Sequence, residues 1–151
     1  MIRLENVTKA YSGETVAVKD ATFEVQKGEF VFLVGPSGSG KSTLLRLMNR
    51  QERPERGDVW VAGRNINEMP DSKIPYLRRS LGNVFQDYKL LPNKTVFENV
   101  AFALEVIGKP KHLIAQQVPA VLELVGLDDK ADRFPHQLSG GEQQRVSIAR
   151  A

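Results

Sequence analysis

A glycine-rich loop between residues 35 and 42 has the residue types and spacing needed to hold phosphate groups. Its residues are Gly35, Pro36, Ser37, Gly38, Ser39, Gly40, Lys41 and Ser42. They match the pattern G-x-x-x-x-G-K-[ST], in which backbone N–H groups surround the phosphates of a nucleotide. The alternative is a glycine-rich turn without a ligand. The flanking sequence favours the phosphate site over this alternative.

The segments on either side of the loop predict how it is held. Residues 30–34 are an unbroken apolar run, as in a strand buried on both faces. Residues 41–50 contain apolar side chains with the spacing of a buried helical stripe. A strand, a glycine loop and a helix in this order direct the helix N-terminus and its free N–H groups at an anion.

A second glycine-containing segment, LSGGEQQR, runs from Leu138 to Arg145. Ser139 and Glu142 have the S-x-x-E spacing of a capping box, so we predict that a helix starts here. The two glycines between them leave the backbone uncovered, and an uncovered helix N-terminus with a serine hydroxyl is again a possible anion site. The alternative is a capped surface helix that binds nothing.

The remaining elements are predicted from apolar patterns and turn residues. Thr95 and Glu98 form another capping box, which opens a helix that ends before Gly108. A further helix over residues 111–125 contains Pro119, so we expect a kink or a split there. Other predicted elements are strands at 2–7, 15–25, 58–61 and 82–85, a turn at Tyr11-Ser12-Gly13 and a short basic helix at 73–79.

The composition narrows the class of protein. A chain of 151 residues with 41% hydrophobic and 26% charged residues is typical of one globular domain. It contains no cysteine, which excludes disulfides and thiolate chemistry. The net charge is only +3, and most Lys and Arg residues are interleaved with acidic residues, so we expect no nucleic-acid partner. The small positive excess would suit an anionic membrane surface. Without a signal peptide or an apolar stretch of about 18 residues, a cytoplasmic location is predicted.

The order of the motifs identifies a family. The phosphate loop, Gln86 about 45 residues later and LSGGEQQR about 50 residues further on resemble the ATP-binding subunits of ABC-type ATPases. LSGGEQ is far more specific to that superfamily than the phosphate loop. The segments 28–34, 74–79, 84–87 with 90–91, and 98–106 resemble those of the bacterial cell-division ATPases of the FtsE family, which act with the membrane protein FtsX.

The resemblance implies a fold and a domain organisation. The fold is an α/β P-loop NTPase of the ABC ATPase type, with an N-terminal antiparallel β region, a partial parallel core sheet and a helical subdomain. Within one domain, residues 1–87 would form the β/core region, 88–137 the helical subdomain and 138–151 the signature motif with its helix. The family's next elements carry an Mg²⁺-binding Asp, a catalytic Glu and a switch His. We therefore expect this chain to be the N-terminal part of a longer protein.

The resemblance also implies roles at the phosphate loop. The loop would hold the β- and γ-phosphates of ATP, with Lys41 as a point charge on their oxygens. Ser42 would place its hydroxyl on Mg²⁺, and Thr43 would reach the α-phosphate. Tyr11 lies where the family has an aromatic residue that stacks on adenine.

Residues further along the chain match the rest of the family's site. Gln86 matches the glutamine that touches Mg²⁺ and the attacking water. Ser139, Gly141 and Glu142 match the signature motif, which closes over the γ-phosphate held by a second copy. ATP would therefore join two copies head to tail.

The function that the resemblance implies is cell division. The protein would lie at the cytoplasmic face of the membrane, through a permease of the FtsX type, and couple ATP hydrolysis to septal cell-wall remodelling. The same core motifs also serve ATPases for lipoprotein export or solute transport. An ABC ATPase acting on DNA or ribosomes is disfavoured because few residues separate Lys41 from Ser139 along the sequence. A non-hydrolysing nucleotide-binding module is the remaining alternative.

Overall fold

Residues 1–11 and 15–151 are described by the structure, which is a computed structural model. Its backbone contacts define two units, Met1–Arg78 and Arg79–Ala151, and each is considered by itself. The predicted turn at residues 11–13 falls largely outside the described residues. The predicted subdivision at residues 87 and 137 stays a prediction.

An antiparallel sheet of four strands forms most of the first unit. The strands are β1 (Ile2–Tyr11), β2 (Thr15–Val25), β3 (Arg56–Val61) and β4 (Arg64–Asn65), in the order β2-β1-β3-β4. The central strand β1 pairs with β2 on one edge and β3 on the other. Its apolar side chains Leu4 and Val7 are fully buried, as is Val59 of β3. The predicted strands at 2–7, 15–25 and 58–61 are confirmed.

Two helices complete the first unit. Helix α1 spans Lys41–Met48 and contacts β2 and β3, and helix α2 spans Ile74–Arg79 after a 3₁₀ turn at Asp71–Lys73. Leu44 and Leu47 of the predicted stripe of α1 are buried, whereas Leu45 is 57% exposed. Both helices lie where the sequence predicts them.

Two predicted strands, at 30–34 and 82–85, are wrong. Both segments lie outside the strands that the described residues form, and all strand pairs there are antiparallel. Segment 30–34 is exposed, with Phe30 and Val34 each 83% accessible. A parallel strand needs neighbouring strands to bond its N–H and C=O groups. No described segment gives these residues such a neighbour, so the apolar run stays unpaired.

The second unit is built from three helices around one apolar cluster. They are α3 (Val96–Val106), α4 (Lys111–Leu124) and α5 (Gly140–Arg150). The cluster consists of Val96, Val100, Ala101, Ile114, Val118, Leu122, Leu127, Leu138 and Val146. All three predicted helices are confirmed. Helix α4 runs through Pro119 without a break, so the predicted split does not occur. Val118 and Leu122 are both buried in the cluster and hold the helix on either side of the proline.

Candidate functional site

The N-terminus of α1 is an uncapped helix start in the first unit. Its N-cap residue is Gly40, with φ 88°, and no side chain bonds the first turn. A Cβ at Gly40 would lie 2.1 Å from the carbonyl oxygen of Ala17, so only glycine fits. The first turn also contains no acidic residue. The backbone N–H groups there lack a side-chain acceptor, which is the condition for binding an external anion.

Lys41 places its ammonium group over the phosphate loop. Its Nζ donates to the carbonyl oxygens of Gly35 at 2.7 Å and Pro36 at 2.6 Å, and to Ser39 Oγ at 3.3 Å. The loop thus folds around the cation of its own lysine. A positive charge and uncapped N–H groups are in this way combined within eight consecutive residues, as the motif predicts.

Tyr11 connects the end of β1 to the first turn of α1. Its hydroxyl lies 3.4 Å from Oγ1 of the buried Thr43. The Lys9 ammonium lies over the Tyr11 ring, 5.3 Å from its centroid, and also 3.4 Å from Glu52 Oε2. The structure therefore brings the predicted adenine-stacking residue and the predicted α-phosphate residue together. Whether they bind a nucleotide stays a prediction.

The N-terminus of α5 is capped by its own side chains. Ser139 Oγ accepts from the N–H of Glu142 at 3.4 Å, and Glu142 Oε2 accepts from the Ser139 N–H at 2.7 Å and from its hydroxyl at 2.8 Å. The predicted capping box is confirmed. Glu142 Oε1 pairs with the Lys130 ammonium. The hydrogen bond from Lys130, followed by those from Ser139, lowers the pKa of Glu142 to about 2.

Gln86 lies in an exposed turn of the second unit. The turn is closed by a hydrogen bond of 3.1 Å from the Tyr88 N–H to the Phe85 carbonyl. Gln86 follows a segment without regular secondary structure and not the predicted strand. The amide group is accessible, and an amide oxygen is a suitable ligand for a hard cation.

Comparison with known proteins places the chain in a family. The sequence profile described as ABC transporter matches residues 18–151. The chain belongs to the ABC transporter family. Three curated relatives named cell division ATP-binding protein FtsE match along its whole length, from Mycobacterium tuberculosis at 56% identity, Escherichia coli K12 at 51% and Streptococcus pneumoniae D39 at 50%. The chain spans 66% to 68% of the length of these relatives.

Solved structures of ABC transporter family members share the fold. One is the ATP-binding cassette MJ0796 in a dimeric post-hydrolysis state bound to ADP and Pi, with a TM-score of 0.91 and 37% identity. Another dimeric structure of MJ0796, a bacterial ABC transporter cassette, gives 0.92 and 38%. Each of these two matches covers 99% of this chain and 68% of the chain in the solved structure. The predicted fold class, an α/β protein of the ABC ATPase type, is confirmed, but the partial parallel core sheet is not, because the described residues pair only in an antiparallel sheet.

Two charged residues at these sites were not predicted from the sequence. Lys9 lies against Tyr11, and Lys130 lies against Glu142, twelve residues away along the chain. Neither belongs to a motif, so only the folded chain reveals them. In the described part of the chain, no group of His, Asp and Glu side chains is placed to hold a metal ion. No helix within the described residues is long and apolar enough to cross a membrane.

Proposed function

We propose that this chain is the ATP-binding part of a cell-division ABC ATPase of the FtsE type. The observation that carries the proposal is the identity of 50% to 56%, over the whole chain, with relatives named cell division ATP-binding protein FtsE. The uncapped start of α1 and the Lys41 ammonium supply the phosphate-binding chemistry. Septal cell-wall remodelling is the output that we propose, through a membrane partner of the FtsX type at the cytoplasmic face.

The residues present fit a magnesium ion held with the nucleotide. Ser42 is an exposed hydroxyl in the first turn of α1, and Gln86 is an exposed amide. Both offer the oxygen ligands that Mg²⁺ takes when it also keeps waters and phosphate oxygens. When bound, the ion would neutralise charge on the phosphates.

The N-terminus of α5 would act on ATP held by a second copy of the chain. Ser139, Gly141 and Glu142 would close over that γ-phosphate, so ATP would join two copies head to tail. The dimeric structures described for the similar cassette MJ0796 support this arrangement. The net charge of +3 suits a position beside an anionic membrane surface.

We also propose that hydrolysis needs a general base outside these 151 residues. Gln86 is the residue assigned to the attacking water, and a neutral amide does not accept a proton at neutral pH. The chain alone should therefore bind ATP without steady release of phosphate. Steady phosphate release by the purified chain, abolished in Lys41→Ala, would contradict this part of the proposal.

Binding of a fluorescent ATP analogue tests the main proposal. Lys41→Ala should weaken binding at least about a hundredfold, because a charge-assisted contact to phosphate is lost. The matched control is Lys27→Ala, which removes an exposed lysine outside the loop and should leave binding within about twofold. Equal affinity of Lys41→Ala and the unmodified chain would refute ATP binding at this loop.

A second experiment tests the cell-division partner. The protein should co-purify with a co-expressed membrane protein of the FtsX type and not with permeases for lipoprotein export or solute uptake. Selective binding to one of those permeases would replace the cell-division role with a transport role, while leaving ATP binding intact.

A further inference from the structure

The sheet of the first unit has a hollow around Thr8 of β1. The hollow has a volume of about 340 Å³ and is lined by Thr8, Val16, Lys19, Asp20, Glu55 and Arg56. Four of these residues are charged, two with each sign, and all four are exposed. This volume is at the lower end of the range for small-molecule sites. A ligand that fills the hollow would therefore be a small charged molecule.

A β-bulge in β2 forms one wall of the hollow. Thr8 alone lies opposite both Lys19 and Asp20, between two regular pairs of β1 with β2. Successive residues of a regular strand point to opposite faces, and the extra residue of a bulge breaks this alternation. The bulge thereby allows both Lys19 and Asp20 to line the hollow. On the other side, Arg56 of β3 pairs with Thr8, and the Glu55 N–H donates to the Thr8 carbonyl at 2.9 Å.

The Thr8 side chain holds the bulge in place. Its hydroxyl accepts from the Asp20 N–H at 3.1 Å and donates to Asp20 Oδ1 at 3.3 Å. Asp20 has φ 45°, a left-handed conformation that aspartate tolerates better than most residues. Within residues 1–11 and 15–151, Oδ2 of Asp20 accepts no hydrogen bond. The carboxylate is thus fixed through one oxygen, and its other oxygen is available to a ligand.

The four charged side chains of the hollow do not neutralise one another. Lys19 and Asp20 belong to β2, whereas Glu55 and Arg56 lie at the start of β3, and β1 separates these two strands. Two strand spacings amount to about 10 Å. In the part of the chain that the structure describes, none of the four forms an ion pair. Each wall therefore presents one cation and one carboxylate that have no charged partner.

These charges determine the class of ligand. A primary ammonium group has three N–H donors, enough to meet both Asp20 and Glu55. A phosphate monoester carries between one and two negative charges at pH 7 and three acceptor oxygens, so it matches both Lys19 and Arg56, whereas a carboxylate carries a single charge. We propose that the hollow binds a small molecule that carries a primary ammonium group and a phosphate group on one short chain.

The hollow is separate from the phosphate loop. Thr8 follows the fully buried Val7, so it lies on the opposite face of the sheet. Gly40 of the loop approaches the buried face, because a Cβ at Gly40 would lie 3.3 Å from Cγ2 of the buried Val18. The hollow is therefore a site additional to the proposed ATP site, and it does not depend on ATP binding.

Titration with O-phosphoethanolamine, followed by NMR of the backbone amides in the full chain, tests the site. The amide signals of Thr8, Lys19 and Asp20 should shift, with half-saturation at about 1 mM, since the open hollow leaves part of the ligand in water. Ethanolamine and inorganic phosphate each carry only one of the two charged groups and should bind about tenfold more weakly. The proposal is overturned if these signals do not shift at about 10 mM O-phosphoethanolamine, or if either single-group probe binds with equal affinity.

Two variants assign the binding to the hollow. Arg56→Gln and Asp20→Asn should each weaken O-phosphoethanolamine binding about tenfold, because each removes one charged contact. Asparagine at position 20 still accepts from the Thr8 hydroxyl and tolerates positive φ. Arg64→Gln, which removes an exposed arginine of the neighbouring strand β4, is the matched control and should leave binding within about twofold. Lys41→Ala should also bind normally. A loss in Lys41→Ala without a loss in Arg56→Gln would place the molecule at the phosphate loop and overturn the proposal.

Vesicle flotation distinguishes a free aminoalkyl phosphate from the headgroup of a phospholipid. Phosphatidylcholine vesicles with and without phosphatidylethanolamine have the same net charge, but only phosphatidylethanolamine offers a primary ammonium group. A lipid phosphodiester carries a single negative charge, so we expect both kinds of vesicle to retain the protein equally, which would support a free ligand. Greater retention by the vesicles with phosphatidylethanolamine, abolished in Arg56→Gln, would support the same site with a lipid as the source of the group.

Discussion

The two helix N-termini that the motifs mark are built in opposite ways. Helix α1 begins at Gly40 without a capping side chain and without an acidic residue in its first turn. Helix α5 begins at Ser139, and its first turn carries Glu142, which bonds the Ser139 N–H and hydroxyl. One helix start has donors free for an external anion, whereas the other already supplies its own anion.

The difference shows what each end is able to do alone. A phosphate approaching α1 meets uncapped N–H groups and the Lys41 ammonium. A phosphate approaching α5 meets a carboxylate that Lys130 neutralises in part. The start of α5 is therefore a weak site unless another surface brings the phosphate to it. This asymmetry agrees with the proposed division, in which α1 grips ATP and α5 closes on ATP held by a second copy.

The largest effect is expected where the uncapped start of α1 is forced to carry a side chain. Gly40→Ala would place a Cβ 2.1 Å from the Ala17 carbonyl oxygen at a φ of 88°. The free energy of unfolding should fall by about 3 kcal/mol, and ATP binding should be lost. Gly38→Ala is the matched control, since its φ of 81° is similar but no atom lies within 4 Å of the new Cβ. It should lose about 1 kcal/mol in urea unfolding. Equal losses at the two positions would show that packing against Ala17 does not shape the loop.

The sequence predicts the elements that local signals determine. The sequence pattern [ST]-x-x-E predicts two capping boxes, and both are present, at Thr95 with Glu98 and at Ser139 with Glu142. Glycines mark the left-handed positions of the phosphate loop for the same reason, since the conformation depends on the residue itself. These features need no knowledge of distant residues.

Features that depend on distant residues were not predicted. The apolar run at 30–34 indicates burial but does not say which segment would cover it, and in the structure it stays exposed. Lys130 pairs with Glu142 only because the 3₁₀ turn at Asp128–Lys130 brings it there. The left-handed Tyr88 is held by Ser147 and Arg150, about sixty residues away, and a tyrosine gives no local signal for positive φ.

The next effect concerns whether the α1 end binds a nucleotide or only an anion. Tyr11→Leu should weaken ATP binding by about 2 kcal/mol, roughly thirtyfold, because a stacked aromatic ring is lost. Binding of inorganic triphosphate should be unchanged, and isothermal titration calorimetry measures both. Tyr76→Leu is the matched control, because Lys73 lies 5.5 Å from that ring much as Lys9 lies over Tyr11. If ATP and triphosphate binding fell equally, Tyr11 would support the structure of the loop through its contact with Thr43 and would not stack on adenine.

A smaller effect separates the two capping boxes. Thr95→Ala in α3 and Ser139→Ala in α5 should each lower the free energy of unfolding by about 1 kcal/mol, since each removes an N-cap hydroxyl. Only Ser139→Ala should also reduce ATP-driven self-association, because only that hydroxyl is assigned to a phosphate. Urea unfolding and sedimentation measure the two quantities. If both variants associate like the unmodified chain, the start of α5 is an ordinary cap.

The smallest effect concerns the carboxylate that distinguishes α5 from α1. Lys130→Met removes the first cause of the low Glu142 pKa, so the pKa should rise from about 2 toward its ordinary value of 4.5, with the Ser139 bonds keeping it below that value. Because the folded pKa is depressed, the stabilisation is present above pH 4.5 and is lost as the pH falls toward 2. The variant should therefore show a shallower rise of stability with pH in this window.

An NMR titration of the Glu142 carboxyl group, together with acid unfolding between pH 2 and pH 5, measures this effect. Lys94→Met is the control, since Lys94 lies 3.9 Å from Glu98 in the capping box of α3 and should leave the Glu142 pKa unchanged. A Glu142 pKa that stays near 2 in Lys130→Met would mean that the hydrogen bonds from Ser139 alone lower the pKa of this carboxyl group. The start of α5 would then be as self-contained as that of α3, and Lys130 would be free to meet a phosphate directly.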